Sequence, residues 1–147
     1  MRTPEPVVET VYRKLGGRAA LGVEVTSDAD LARLVHRRIP LRVLAYVKRG
    51  GFSDREIRQF IIPERTQRHR NAKRQPLTVE ESDRLVRMTR IQALAEDVFG
   101  DAEKANSWLR EGLGILGGKS PLEVAQTDSG ARVVEQILAK IDWGAAA

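Results

Sequence analysis

Apolar residues recur along this chain at three- and four-residue steps, broken at short intervals by glycine, proline and capping residues. Val7, Val8, Val11, Tyr12 and Leu15 follow that spacing, which predicts a helix over 7–15 stopped by Gly16-Gly17. The six residues before it, with Pro4 and Pro6, read as a flexible lead. Gly22 to Thr26 is expected as a short extended piece. Ser27 and Asp28 then offer N-caps to a helix carrying Leu31, Leu34 and Val35. Pro40 suits the first turn of the next helix, with Leu41, Leu44, Ala45 and Val47 on its apolar side and Gly50-Gly51 after it.

Three capping boxes organise the rest. In Ser53-Asp54-Arg55-Glu56 the Ser53 hydroxyl and the Glu56 carboxylate can satisfy each other's orphan backbone amides, opening a short helix with Ile57 and Phe60. Pro63 starts another helix through about Asn71. Thr78-Val79-Glu80-Glu81 opens the longest one, to about Phe99, with Leu85, Met88, Ile91, Leu94, Ala95 and Val98 at helical steps. Gly100 ends it, and Asp101 caps a helix bearing Trp108 and Leu109. After a glycine-rich loop, Gly112 to Gly118, Ser120-Pro121-Leu122-Glu123 is the third box, with Leu122 expected in a small core. Thr127 or Asp128 opens a last helix with Val133, Val134, Ile137, Leu138 and Ile141, closing near Gly144. Strand signals are nearly absent, so the fold class is all-α.

Composition narrows the class. With 41% hydrophobic and 31% charged residues the chain is too apolar for disorder and too charged for a membrane protein. No apolar run approaches the roughly 18–20 residues of a membrane span, and no signal peptide heads the chain, so the expected location is the cytoplasm. The absence of cysteine excludes disulfides, thiolate zinc sites and cysteine nucleophiles. His36 and His69 stand far apart beside arginines, which argues against a metal site. No paired carboxylates or nucleophile–base set has catalytic spacing, so neither an enzyme nor a cofactor is expected.

Charge is unevenly placed. Residues 33–74 carry 13 basic and 3 acidic side chains, whereas residues 75–147 carry 8 basic and 12 acidic. The basic stretch contains the two helices separated by the tight turn at Ile61-Ile62, the spacing of a helix-turn-helix. In the second helix, Arg65 and Arg68 could pair with guanine, Gln67 with adenine, and Thr66 with a thymine methyl or a phosphate. Arg55, Arg58, Arg70, Lys73 and Arg74 add cations for the phosphate backbone. Against this stand a turn without glycine and Glu64 at the helix start, which would repel phosphate. A solvated basic helix pair is the bland alternative.

The order Leu77-Thr78-Val79-Glu80-Glu81-Ser82-Asp83-Arg84-Leu85, Ala93-Leu94-Ala95-Glu96-Asp97-Val98-Phe99-Gly100-Asp101, Trp108-Leu109, Leu116-Gly117-Gly118-Lys119-Ser120-Pro121-Leu122-Glu123, Gly130 and Ile141-Asp142-Trp143-Gly144 resembles the Xre/MbcA/ParS family of antitoxins. The resemblance runs from roughly Leu41 to the C-terminus. One departure is Gly112-Leu113, where many members have Pro-Asn. The chain is expected to divide into an N-terminal helical region with the helix-turn-helix (residues 1–76) and a long helix plus toxin-binding domain (residues 77–147). Residues 1–40 carry no assignable motif and either complete the bundle or build a self-association surface. The resemblance implies neutralisation of a RES-domain toxin, which consumes NAD or ADP-ribosylates a target, and repression of its own operon through operator DNA. A homodimer or larger toxin–antitoxin assembly would match a two-fold operator. On this reading the C-terminal end reaches the toxin's NAD-binding cleft and blocks it.

The expected toxin contacts are Trp108, Leu116, Gly117, Gly118, Lys119, Pro121, Trp143, Gly144 and Ala145. For Gly117, Gly118, Ser120 and Pro121 a purely helix-capping role competes with partner contact, and Trp108 also suits a core position. Trp143 either anchors a partner or packs back on Ile137 or Lys140. The rival to an antitoxin is a stand-alone dimeric helix-turn-helix transcription regulator.

Overall fold

Local signals set most of the helix ends. The computed structural model describes residues 6–146, and the side chains of 6–144. Most of the N-terminal lead expected from Pro4 and Pro6 therefore lies outside the described residues. Those described contain α-helices and one 3₁₀ turn and no strand. They form two compact units that meet in sequence at Thr89 and Arg90.

In the first unit, α1 (Val7–Lys14) buries Val11, and Leu15 just beyond it is also buried. Gly16 and Gly17 both take positive φ and stop α1 as expected. The chain then enters a short helix the apolar pattern did not signal, α2 (Gly17–Leu21). Gly22 to Thr26, expected as a short extended piece, forms no strand: the chain bends at Gly22 and Val23 and carries no regular secondary structure over 24–26. A hydrogen bond from the Tyr12 hydroxyl to the Val23 carbonyl, 2.9 Å, ties it down.

Ser27 caps α3 (Asp28–His36) by accepting from the Asp30 amide at 3.1 Å, and Leu31, Leu34 and Val35 are buried. Pro40 does not open the next helix. Its carbonyl accepts from the Val43 amide in a turn, and α4 (Val43–Arg49) starts only there. The register shift buries Val43 in place of Ala45, which is exposed.

The Ser53 capping box is present in full at the head of α5 (Asp54–Phe60), and Pro63 is the N-cap of α6 (Glu64–Ala72). Between them Ile61 and Ile62 are buried. The second box is also complete, with the Thr78 amide donating to Glu81 at 2.7 Å and the Glu81 amide to the Thr78 hydroxyl at 3.1 Å. It opens α7 (Val79–Phe99), whose residues up to Thr89 belong to this unit. The fully buried Ile39, Phe52, Ile61, Ile62, Leu77, Leu85 and Met88 form the core here. Each is worth about 1.5–3 kcal/mol of apolar burial. The buried Ser82 hydroxyl accepts from the Ile39 amide at 2.9 Å, and Leu77 donates to the Ile39 carbonyl at 2.9 Å, so the linker before α7 is held along its length.

The second unit comprises the remainder of α7, α8 (Ala102–Leu109), α9 (Pro121–Val124) and α10 (Asp128–Ala146). Asp101 caps α8 through the Glu103 and Lys104 amides, and Ser120 and Glu123 complete the third capping box. Ile91, Ala95, Leu109, Leu122, Val134 and Leu138 fill the core, Leu122 as expected. The buried Gln92 amide donates to Asn106 at 2.9 Å, which removes the cost of an unsatisfied polar group. The last helix ends at Ala146, two residues beyond the Gly144 near which its end was expected.

Candidate functional site

The first candidate surface grows from the turn between α5 and α6. Such a turn does not need glycine here, because Ile61 has φ −119° and the turn is filled by two isoleucine side chains facing the core. Arg84 of α7 donates to the Ile61 carbonyl from both Nε (3.1 Å) and Nη2 (3.0 Å), fixing the turn to the long helix. On α6, Arg65, Arg68 and His69 are exposed, with Lys73 at its C-cap and Arg55 exposed on α5. Arg55, Arg65, Arg68 and Lys73 make no ion pair among the described residues, which leaves their charge for a polyanion. Thr66 is half-buried. Gln67, also half-buried, lines a groove of about 490 Å³ with Arg42, Arg58, Arg68 and Asn71, and the acidic Asp54 and Glu64 line it too.

Arg70, expected among the DNA contacts, instead turns inward. Its guanidinium pairs with the Glu81 carboxylate through both nitrogens, with Nη2 at 3.2 Å, and its Nη1 donates to the Pro76 carbonyl at 3.3 Å. Charge along a sequence cannot tell an outward arginine from an inward one; the partner carboxylate was already visible as the acid of a capping box. Burial alone would push the Glu81 carboxyl up, but the hydrogen bonds from Arg70 and Thr78 outweigh it and hold the group below the usual carboxylate range. Exposed Asn71 adds a polar group that sequence reasoning did not single out.

The second candidate surface lies on the C-terminal unit. The loop after α8 is drawn together by Leu113 donating to the Lys119 carbonyl (3.1 Å) and Gly118 donating to the Leu113 carbonyl (2.9 Å). Gly117 and Gly118 take left-handed φ of 66° and 86°, and a Cβ on Gly112 would stand 2.6 Å from the Gly118 oxygen. The Gly112 departure therefore matches a backbone approach that a side chain would obstruct. Gly117, Gly118 and Lys119 are exposed and Leu116 is half-buried. Pro121 is buried as the first helical residue of α9, where its fixed φ suits the cap.

Trp108 is half-buried against Phe99, ring centroids 5.5 Å apart, and so is less enclosed than a core position requires. The two rings floor a cavity of about 590 Å³ edged by Asp101, Glu103, Lys104 and Glu111. Trp143 is 78% exposed and does not pack back on its own helix, and Gly144 is exposed beside it. The side chain of Ala145 lies outside the described residues. Two exposed aliphatics escaped the sequence reading: Ile115, 76% exposed in the loop, and Val133 on α10. Ile115 could have been found as a large residue isolated among glycines. Val133 could not, because it continues the apolar run of Val134, Ile137 and Leu138.

Among the described residues no group of histidine and acidic side chains could hold a metal ion, and no helix is long and apolar enough to cross a membrane. Residues 30–90 match the antitoxin Xre-like helix-turn-helix domain, and residues 94–144 match the antitoxin Xre/MbcA/ParS C-terminal toxin-binding domain. An antitoxin Xre of Pseudomonas putida is 45% identical over 122 residues, spanning 82% of this chain and 76% of that one. An antitoxin Xre of Yersinia enterocolitica is 26% identical over 143 residues, 97% and 94% of the two chains. A Sphingobium protein named Prs ADP-ribosylating antitoxin is 35% identical over 83 residues, 50% of this chain and 52% of its own. With a helix-turn-helix unit and a toxin-binding unit in this order, the chain belongs to the Xre antitoxin family.

Proposed function

We propose that this chain neutralises a RES-domain toxin with its C-terminal unit and represses its own operon through α5 and α6. The observation that carries the first half is Trp143, 78% exposed on the last helix of the unit that matches a toxin-binding domain. A large aromatic held in solvent is the kind of anchor that dominates protein interfaces. The exposed Gly117, Gly118 and Lys119 and the half-buried Leu116 of the α8–α9 loop, the aromatic pair at Trp108, and the exposed Ile115 and Val133 supply further contact area. Inhibition is steric: the antitoxin excludes NAD from the toxin's cleft and contributes no chemistry. The name of the Sphingobium relative, which joins an antitoxin to ADP-ribosylation, supports a toxin of that class. The pair acts in the cytoplasm.

For the second half, α6 enters the major groove with Arg65, Arg68 and Lys73 outward, while Arg55 on α5 meets the phosphate backbone. Thr66 and Gln67 sit at the edge of that surface and read bases only where the groove wall reaches them. A dimer, or a larger assembly with the toxin, supplies the second half-site.

Co-expression with a RES-domain toxin tests the first half. The toxin alone arrests growth, the wild-type chain restores it, and Trp143→Ala fails to. Equal toxicity with and without the chain would sink the proposal. For the second half, duplex DNA from upstream of the coding sequence is titrated across a salt series. Arg65→Ala with Arg68→Ala should weaken binding by about tenfold or more at every salt concentration, since each bidentate base contact is worth roughly 1–3 kcal/mol. Affinity and salt dependence both identical to those of the wild type would remove α6 from the interface.

A further inference from the structure

The helix proposed to read DNA has almost nothing apolar to hold it. Its nine residues, Glu-Arg-Thr-Gln-Arg-His-Arg-Asn-Ala, include one alanine, and α6 is the one α-helix among the described residues with no buried residue. A helix this short does not persist in water on its own. Its half-buried positions are Thr66, Gln67 and Arg70, and of these only Arg70 reaches a charged partner across the fold. That partner, Glu81, is itself fixed in the Thr78 capping box of α7. The C-terminal end of α6 is tied to the same place. Arg74 turns the chain in a left-handed conformation (φ 53°), the Gln75 amide donates to the Arg70 carbonyl at 2.9 Å, and Arg70 and Arg38 both donate to the Pro76 carbonyl, each at 3.3 Å.

We propose that Arg70 and Glu81 are positioning residues that latch the DNA-reading helix to α7, so that the placement of Arg65 and Arg68 depends on this one buried ion pair. The inference rests on the DNA-binding reading above, since positioning has no function without a ligand. It accounts for an arginine spent inside a basic helix where solvent-facing charge would serve affinity better. Two hydrogen bonds from a planar guanidinium to a carboxylate fix both distance and orientation, which a lysine cannot do. The Thr78 capping box fixes the same carboxylate from the α7 side.

Two variants separate the latch from its rivals. Glu81→Gln keeps a capping-box side chain but removes the ionic partner, and it makes this unit more positive by one charge. Simple electrostatics then predicts tighter DNA binding, whereas the latch predicts weaker binding, so the signs oppose. Arg70→Lys keeps the charge and loses the fork. Each variant is checked by circular dichroism to be folded at the assay temperature. Amide hydrogen exchange of the free proteins should accelerate about tenfold or more over 68–72 and stay near wild type over α3 and α10.

With the same upstream duplex as probe, both variants should bind about tenfold more weakly with an unchanged salt slope, because no phosphate contact is lost. Unchanged exchange over α6 would overturn the latch whatever the DNA data show. Faster exchange with unchanged or tighter binding would overturn the positioning role. A wild-type chain that fails to bind the duplex would instead sink the DNA reading itself, a result distinguishable from either.

Discussion

The last helix contains two glycines in helical backbone, and the same substitution at the two should have opposite effects. Helix propensity alone favours Gly→Ala at both by up to about 1 kcal/mol. At Gly144 nothing lies within 4 Å of the position a Cβ would take, so that gain should be realised, trimmed by the nearness of the helix end. At Gly130 a Cβ would stand 1.8 Å from the Val124 carbonyl oxygen and 2.9 Å from its carbon. Those are backbone atoms of α9, which cannot yield cheaply: the Ser120–Glu123 capping box fixes its start, and Leu122 is buried at 1% exposure. Ordinary C···O approach is about 3.3 Å, so the two backbones must separate by about 1.5 Å. Overpacking of this kind costs about 3 kcal/mol at the upper end of its usual range.

Subtracting the propensity gain leaves Gly130→Ala about 2 kcal/mol less stable than wild type, a fall of about 4–8 °C in Tm for a chain of this length. Both tryptophans, Trp108 and Trp143, belong to the C-terminal unit, so fluorescence-detected urea unfolding reads that unit directly. Gly144→Ala should shift its midpoint slightly upward and Gly130→Ala clearly downward. A Gly130→Ala protein with a midpoint at or above wild type would refute the argument that backbone contact outweighs propensity there.

Three further outcomes follow from the same structure. Ser120→Ala removes the acceptor for the Glu123 amide and should lower the stability of the C-terminal unit by about 1–2 kcal/mol in the same urea assay. Trp143→Ala should leave the urea midpoint within about 0.5 kcal/mol of wild type, because the side chain is 78% exposed, so any loss of neutralisation is a loss of contact and not of fold. Asp30 is held down to about 2 by the Thr26 backbone amide first and by Arg33 next. A depressed carboxyl stabilises the fold fully above its unfolded value near 4 and loses that contribution as pH falls toward 2. An NMR titration should therefore find the Asp30 midpoint near 2, Asp30→Asn should flatten the acid limb of stability between pH 4 and 2, and a midpoint near 4 would contradict the hydrogen-bond geometry.

What could be read in advance was what is local. All three capping boxes form as written, because each needs only a hydroxyl and an acid three residues apart. The long helix and the tight α5–α6 turn follow from apolar spacing alone. The failures are non-local. Proline's ring-locked φ suits a first helical residue, yet the chain makes a turn at Pro40 before α4 begins at the buried Val43. Gly16-Gly17 reads as a stop, and the chain does stop, but five residues then coil again and bury Ala20 and Leu21. Arg70 was indistinguishable from Arg65 and Arg68 by charge, since the difference lies in a carboxylate eleven residues away. In the C-terminal unit Pro121 takes the first helical position that its fixed φ announced, while the exposure of Trp143 had no signature beyond its place near the end.

That exposure bears on how the tail meets a partner. A glycine followed by small residues reads as a helix end, but Gly144 is absent from the residues with positive φ, and α10 continues through Ala146. Without a left-handed turn, glycine costs a helix only about 1 kcal/mol, and the alanines after it are the best helix formers. Trp143 is thus displayed from a helix and not from an extended strand. An aromatic side chain buries roughly 150–250 Å² on contact, which at about 25 cal/mol per Å² is an upper limit of about 4–6 kcal/mol for this one residue. A helical display lets that energy go into binding instead of into ordering a tail. Gly144→Ala then becomes a probe of the bound form as well as of stability. If the toxin takes the tail as a helix, stiffening it should leave the Kd equal or lower. A Kd raised several-fold, with the urea midpoint also raised, would mean that the last turn unwinds on binding and that the helix is the resting form only.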